Sequence, residues 1–417
     1  MSSDRPAVAT RVQDLELPTF APFGLERAEV VDQLEPLRRD HWLVRNEVGY
    51  VLTRYEDCVA VLRDKRFFSA VRLIAQLQGV QDPAFLDRNE RRSILAAEGD
   101  EHARLRRLVA PAFTPKAADR LRPFMREVVD ELVRPVAEQG RCELVADVCE
   151  PYPIPIMCEL LGAPKEDWKL FSRWAADLLR IFNGTLAEDA SVIMRTQDEL
   201  DEYVGHLIDE RRHRPAEDLL TALITAEAEG DRLTHQELVN MVEAVIVAGT
   251  DTTRNQLGCT VALFASHPRQ WELLRRRPDL AARAVEESMR YLGAVRGTGR
   301  YASVDVEYRG VLFPAGTFVF PSFVAGNFDP VAFPAARAFD IARATPAAPQ
   351  LTFGSGLHVC LGASLARAEL QEALPILART MPGLALDGEV VWKPETFGIW
   401  GPERLPLRFE VAPVPAS

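Results

Sequence analysis

From about residue 101 to 290, apolar residues recur at three- and four-residue intervals, the period of helices that each bury one face. Capping signals punctuate this stretch. Thr114 followed by Pro115 sets an N-cap and a first-turn proline ahead of KAADRLRPFMREVVDEL. Thr234 with Glu237 makes a capping box at the head of LTHQELVNMVEAVIVAGTDTTRNQLGCTVALFAS, which continues for about 30 residues, beyond the usual helix length. Upstream, HWLV and YVLT flank the turn Asn46-Glu47-Val48-Gly49 and predict two strands. Residues 71–98 have weak periodicity and predict a loop with short helices. Beyond residue 300 the period changes: VDVEYRGVLFPAGTFVF alternates like two strands, 388–411 does likewise, and ASLARAELQEALPILARTM between them is helical. The pattern predicts one mainly α domain with a minor β region (α+β) over 20–417, preceded by a polar, proline-punctuated extension over 1–19.

Composition narrows the class. The chain has 417 residues, 47% hydrophobic and 26% charged, as soluble globular proteins do. A net charge of -12 argues against a nucleic-acid binder. Runs such as Arg275-Arg276-Arg277 and Arg211-Arg212-His213-Arg214 are expected to be solvated helix faces. The amino terminus carries no apolar signal core, and no stretch of about 18 apolar residues predicts a membrane anchor. The six cysteines are scattered without close pairing, which suits a reducing cytoplasm. Cys142, Cys149 and Cys158 lack zinc-site spacing and are expected in the core.

The stretch LTFGSGLHVCLGASLAR, residues 351–367, concentrates candidate chemistry. Cys360 stands just before a helix whose free N–H groups carry partial positive charge, an environment expected to lower a thiol pKa. Gly354, Gly356 and Gly362 permit conformations and close approaches that other residues forbid. A thiolate beside bare backbone suits either nucleophilic attack or the holding of a soft metal. Phosphate-loop, His-Glu-x-x-His and Gly-x-Ser-x-Gly patterns are absent; Gly362-Ala-Ser364-Leu-Ala366 ends in the wrong residue for the last.

Phe353-Gly354-x-Gly356-x-His358-x-Cys360-x-Gly362 resembles the heme-binding signature of the cytochrome P-450 superfamily, the heme-thiolate monooxygenases. The resemblance implies that fold, small antiparallel sheets around a buried heme b (iron protoporphyrin IX), and Cys360 as the axial thiolate ligand of the iron. Three further motifs agree. Ala248-Gly249-Thr250-Asp251-Thr252-Thr253 puts poor helix formers mid-helix, where a local distortion is expected. It resembles the family's acid–alcohol pair, Thr252 steadying dioxygen and Asp251 relaying protons from solvent, with Ala248 and Gly249 beside the heme. Glu287-x-x-Arg290 resembles the family's structural pair; alone it would read as a surface ion pair. His102 and Arg106, on one helix face, match positions that hold heme propionates, and the likeness adds Arg300 and His358.

There are departures. Phe328 stands where the family often has arginine. Ala338 replaces the arginine that completes the Glu-x-x-Arg network, leaving Arg337 one residue away. By analogy the substrate pocket draws on 71–98, the region near Ile181-Phe182-Asn183, Ala248, Val295, Ile399 and Trp400. These are mostly apolar, so the expected substrate is a hydrophobic small molecule that is hydroxylated or epoxidised with O2; Arg72 and Arg296 are expected outside the pocket. The chain contains no dinucleotide motif, so NAD(P)H acts only indirectly. Electrons are expected from a ferredoxin and its reductase, with Arg104 and Arg107 helping to attract an acidic donor. A peroxide-driven heme enzyme and a non-catalytic heme sensor or carrier are the competing classes.

Overall fold

The computed structural model describes residues 9–20, 27–89, 94–182, 185–228, 233–343, 348–394 and 399–411. Helices dominate. Those that position the site are α1 (Tyr55–Arg63), α2 (Gly99–Val109), α3 (Pro115–Ala137), α4 (Pro153–Leu161), α5 (His235–Ala265), α6 (Ala281–Tyr291) and α7 (Ala363–Thr380). Their starts follow the capping signals. The Thr114 hydroxyl accepts from the Ala117 N–H at 3.2 Å to open α3. Thr234 and Glu237 cap α5 reciprocally, at 3.2 Å and 2.8 Å. α5 runs through the middle of the molecule and is buried almost all round, as an apolar 31-residue helix must be.

The largest sheet holds β1 (Leu43–Arg45), β2 (Tyr50–Leu52), β3 (Phe67–Ser69), β4 (Arg300–Ala302) and β5 (Phe318–Pro321) in the order β1-β2-β5-β4-β3. The expected turn joins β1 and β2, with the Asn46 side chain accepting from the N–H groups of Val48 and Gly49. Near the carboxyl end, β6 (Val391–Trp392) and β7 (Pro402–Arg404) form an antiparallel hairpin ladder.

Two expectations need correction. The sheets are mixed, not antiparallel throughout: β2 and β5 run parallel, with Tyr50 opposite Val319. These strands come from opposite ends of the chain, so no tight turn dictates their direction. The alternating stretch after residue 303 yields Val306–Tyr308, Val311–Phe313 and β5, three strands where two were expected. Thr10–Arg11 pairs parallel with Val311 and Leu312, and Val12 is fully buried. Residues 1–8 lie outside the described residues.

Candidate active site

The loop before α7 has the shape its glycines suggest. Gly354 and Gly356 adopt φ of 70° and 73°, the left-handed region where a side chain is strained. At Gly356 a Cβ would also run into the Leu62 carbonyl at the end of α1. The Cys360 N–H donates to the Phe353 carbonyl at 2.8 Å, closing the loop. Phe353 carries the Arg367 guanidinium over its ring at 4.4 Å. Gly362 caps α7, and the space its missing Cβ would fill is open. Cys360 is solvent-accessible. Yet removal from bulk water is the strongest influence on its thiol, which it pushes above the ordinary value. The Gly362 N–H, Arg106 and Arg367 pull the other way and lose. The expected lowering is therefore reversed in the protein alone.

The middle of α5 has the same character. Nearly everything from Leu238 to Phe264 is buried, but Ala248 is exposed and Gly249 and Thr252 are half-buried. The helix is unbroken there, against the expected distortion. The Thr252 hydroxyl donates to the Ala248 carbonyl at 2.7 Å, a bond to the preceding turn that preserves the ladder. Gly249 faces α4: an added Cβ would sit 2.5 Å from Met157 Sδ. Asp251 is buried and engaged elsewhere, its Oδ1 taking Arg254 Nη2 at 2.5 Å and its Oδ2 taking Lys393 Nζ at 3.4 Å.

A cationic cluster lies between α2, β4 and the cysteine loop. His102 and His358 are 4.5 Å apart between ring centroids. His358 Nε2 is 3.0 Å from Glu98 Oε1, which also accepts from the Ser69 N–H at 2.5 Å. Arg106 spans from α2 to the cysteine loop and donates to the Val359 carbonyl at 2.8 Å. Arg300 is buried and, among the described residues, its side chain donates to Thr298 and to the Gly299 carbonyl just before its own strand. Burial pushes Arg300 down to about 10, with Glu98 opposing. Burial, then His358 and Arg106, push His102 down to about 4, and its Nδ1 is buried with no hydrogen-bond partner among the described residues. Burial raises the Glu98 carboxyl, but His358, the Ser69 N–H and Arg300 together bring it below its usual range. Among the described residues, Glu98 acts on His102, His358 and Arg300, while Arg106 answers to the Cys360 thiol instead, so the cluster holds more cationic and protonatable groups than carboxylates.

Behind the loop, Glu287 and Arg290 form a two-bond pair at 2.8 Å and 2.8 Å, fully in the core. Arg290 also donates to the carbonyls of Asn327, Ala336 and Ala338. Arg337 does not complete the network; it lies at the surface with Asp32 and Glu35. Arg343 completes it instead, donating to both Glu287 oxygens at 3.1 and 3.2 Å. Of the suggested pocket residues, Val295 and Trp400 line a small cavity together with Arg296, whose guanidinium lies 5.4 Å over the Trp400 ring. Trp400 is mostly buried and stacks on Trp392 at 4.4 Å; Ile399 is half-buried. Asn183 and the side chains of Phe182 and Arg72 lie outside the described residues. Arg104 is committed to Glu237 on α5, leaving Arg107 as the exposed member of that pair.

Residues 155–380 match the family described as Cytochrome P450. Nocardicin C N-oxygenase of Nocardia uniformis subsp. tsuyamanensis is 38% identical over 372 residues, 88% of this chain and 89% of that protein. Mycinamicin IV hydroxylase/epoxidase of Micromonospora griseorubida is 38% identical over 367 residues, 87% and 89% of the two chains. This chain belongs to the cytochrome P450 family. The solved structure of CalO2 superposes with a TM-score of 0.87 at 33% identity, covering 94% of this chain and 99% of that one. The protein is thus a P450 monooxygenase, an enzyme that uses heme and O2 with electrons supplied by a redox partner. No helix among the described residues is long and apolar enough to cross a membrane.

The residues present fit the P450 heme. The accessible thiol, the uncovered middle of α5 and the open side of Gly362 leave room for a flat group. The anion-poor cluster of His102, Arg106, Arg300 and His358 matches a ligand with two carboxylates, and the orphaned His102 Nδ1 is a ready donor or acceptor at its edge. Sequence reasoning missed Glu98, Arg343, Arg254, Lys393 and Glu369. Arg254 was findable, three residues after Asp251 on one helix face. Glu98 carried a fainter signal as a carboxylate one turn before His102. Arg343 and Lys393 carried none, being brought in across 56 and 142 residues. Glu369 is fully buried on α7, accepting from Thr253 Oγ1 at 3.1 Å, and burial raises its carboxyl to about 8.

Proposed function

We propose that this P450 binds heme b through the Cys360 thiolate and inserts one oxygen atom into a hydrophobic secondary metabolite, by hydroxylation or epoxidation. The bound heme supplies the oxygen activation and the oxidising power. Cys360 would hold the iron and supply electron density to it, and the Ala248–Thr252 segment would line the space beside it. His102, Arg106, Arg300 and His358 hold the propionates by charge-assisted bonds. Thr252 presents a hydroxyl at the uncovered stretch of α5 and holds a proton for the reaction; Asp251, one residue on the inner side, resupplies it from solvent. Phe353, Gly354 and Gly362 shape the loop that would hold the heme, and Gly249 lets α4 pack closely behind. The Glu287–Arg290 pair keeps the loop's foundation rigid. Electrons come from a ferredoxin with its reductase, at the Cys360 face near Arg107, and the enzyme works in the cytoplasm. The two curated relatives act on nocardicin C and on mycinamicin IV, which supports a secondary metabolite as the substrate class.

The observation that carries this reading is the exposure of Cys360 and Ala248, a thiol largely removed from bulk water and a residue on a helix otherwise buried. The test is spectroscopic. The reduced carbonyl adduct of the purified protein should show thiolate-type absorption, and Cys360→Ser should abolish it while heme still binds. Retention of that absorption in the serine variant would overturn the assignment. A screen of macrolides, β-lactams, terpenes and fatty acids for shifts in the ferric spectrum then assigns the substrate class.

A further inference from the structure

The buried Asp251 carboxylate has both oxygens engaged, and neither partner is Thr252. Arg254, one turn along α5, takes Oδ1 at 2.5 Å; its other arm reaches the Glu150 carboxylate at 3.0 Å. Lys393 takes Oδ2 at 3.4 Å. The Asn255 side chain donates to the Asp251 carbonyl at 2.7 Å. Lys393 is the distant member of this set. It follows β6, and its N–H donates to the Gly401 carbonyl at 3.0 Å, so the β6–β7 hairpin fixes its position. That hairpin is seated on α5: a Cβ at Gly401 would meet the Asn255 side-chain oxygen at 2.5 Å, and Cys259 Sγ lies 3.8 Å from the Trp400 carbonyl.

An ammonium with only a fifth of its side chain exposed is costly unless it is paired, and Asp251 is the acid it reaches. Burial accordingly lowers the Lys393 pKa, while Asp251 holds it up. The carboxylate held this way is turned from the uncovered stretch of helix where Thr252 stands. It is also linked toward solvent, since Glu150 at the far end of Arg254 is substantially exposed. We propose that Lys393 is a positioning residue for Asp251: with Arg254 it clamps the carboxylate in a solvent-side position, and release from Lys393 sets how fast Asp251 reaches Thr252 with a proton. This rests on the reading of Asp251 as the proton carrier. It adds that the hairpin carrying Trp400, beside Val295 and Arg296, controls that carrier.

The test uses Lys393→Met, Lys393→Arg and Asp251→Asn in the full-length holoenzyme, reduced by a surrogate ferredoxin–reductase pair and NADPH. Oxygen consumption is followed in H2O and D2O. Lys393→Met should raise the rate about threefold or more and shrink the solvent isotope effect, and Lys393→Arg should restore both. A readout independent of turnover is acetic anhydride labelling of the ferric protein. Lys393 should label severalfold faster in Asp251→Asn than in the parent, with Lys116 unchanged. If Asp251→Asn slows oxygen consumption while Lys393→Met leaves rate and isotope effect unaltered, the clamp is refuted and the carrier reading stands. If Asp251→Asn changes neither, the carrier reading falls first. Unchanged Lys393 labelling in Asp251→Asn refutes the pairing itself.

Discussion

Replacing Arg343 by Met tests whether this arginine is the third member of the Glu287–Arg290 network. Arg343 is 15% exposed and donates to both oxygens of Glu287, itself 6% exposed. Its remaining donors go to the carbonyls of Pro334, Ala335 and Ala338. Removing one partner of a fully isolated buried pair costs about 3–5 kcal/mol. Glu287 would keep Arg290 and the Asp340 N–H, and the three carbonyls regain water, so we expect about 2–3 kcal/mol. Arg337 is 55% exposed, with Asp32 and Glu35 62% and 49% exposed, and a pair of that kind contributes about 0–1 kcal/mol. Taking an m-value of about 4 kcal/mol per M urea, scaled up from small proteins, Arg343→Met should lower the midpoint by about 0.5–0.7 M and Arg337→Met by under about 0.25 M. The assay is urea unfolding of the holoenzyme followed by far-ultraviolet circular dichroism and by the Soret band, whose transitions must coincide for the two-state reading. Adding Glu287→Gln to Arg343→Met should cost less than the sum of the single changes, because the two groups touch. An Arg337→Met loss equal to or larger than that of Arg343→Met would refute the assignment.

Gly249→Ala should destabilise by about 1–3 kcal/mol through overpacking against Met157, lowering Tm by several degrees, and Met157→Ala should recover part of the loss. If the double variant melts no higher than Gly249→Ala, the glycine serves some other contact. Arg300→Leu and His102→Leu should each speed heme loss to apomyoglobin roughly ten- to hundredfold, as one charge-assisted bond of about 1.5–3 kcal/mol disappears; parent-like loss rates would remove these residues from the propionate site. Glu369 keeps its proton in the fold up to about pH 8, whereas the unfolded chain releases it near 4.5. Between those values the native state binds more protons than the unfolded one, so stability falls as pH rises, by about 1.4 kcal/mol per pH unit. Glu369→Gln should flatten the urea-midpoint profile between pH 5 and 8, and an unaltered slope would show that another group carries it.

Much of the site is legible in the sequence because its signals are local. A capping box, a glycine at φ near 70° and a three-residue charge spacing are each set within one turn of chain, so Thr234, Gly356 and Glu287–Arg290 can be read from the order of residues alone. The cysteine loop reveals its shape for the same reason. The titration of its thiol runs against the local signal because helix N–H groups are local while desolvation depends on everything packed around the loop. The helix through Thr252 stays intact because a threonine hydroxyl has two uses mid-helix, and here it reinforces the preceding turn. The mixed sheet and the late arrivals Arg343 and Lys393 depend on how distant segments meet, which periodicity does not encode.

Ala338 shows how such a network survives the loss of a side chain its motif seems to require. Arg290 and Arg343 both donate to the Ala338 carbonyl, and that acceptor is present whatever side chain the position carries. The fold therefore keeps the backbone end of the contact, and only the cation opposite Glu287 has to be found elsewhere. Arg343 supplies it across 56 residues, while Arg337, adjacent in sequence, is drawn outward by Asp32 and Glu35. A guanidinium three residues beyond Asp340 can reach the pair because the Asp340 N–H is itself tied to Glu287 at 3.1 Å, which brings that turn of chain over the carboxylate. What the core behind the cysteine loop demands is a positive charge at one point in space, and several places along the chain can meet that demand.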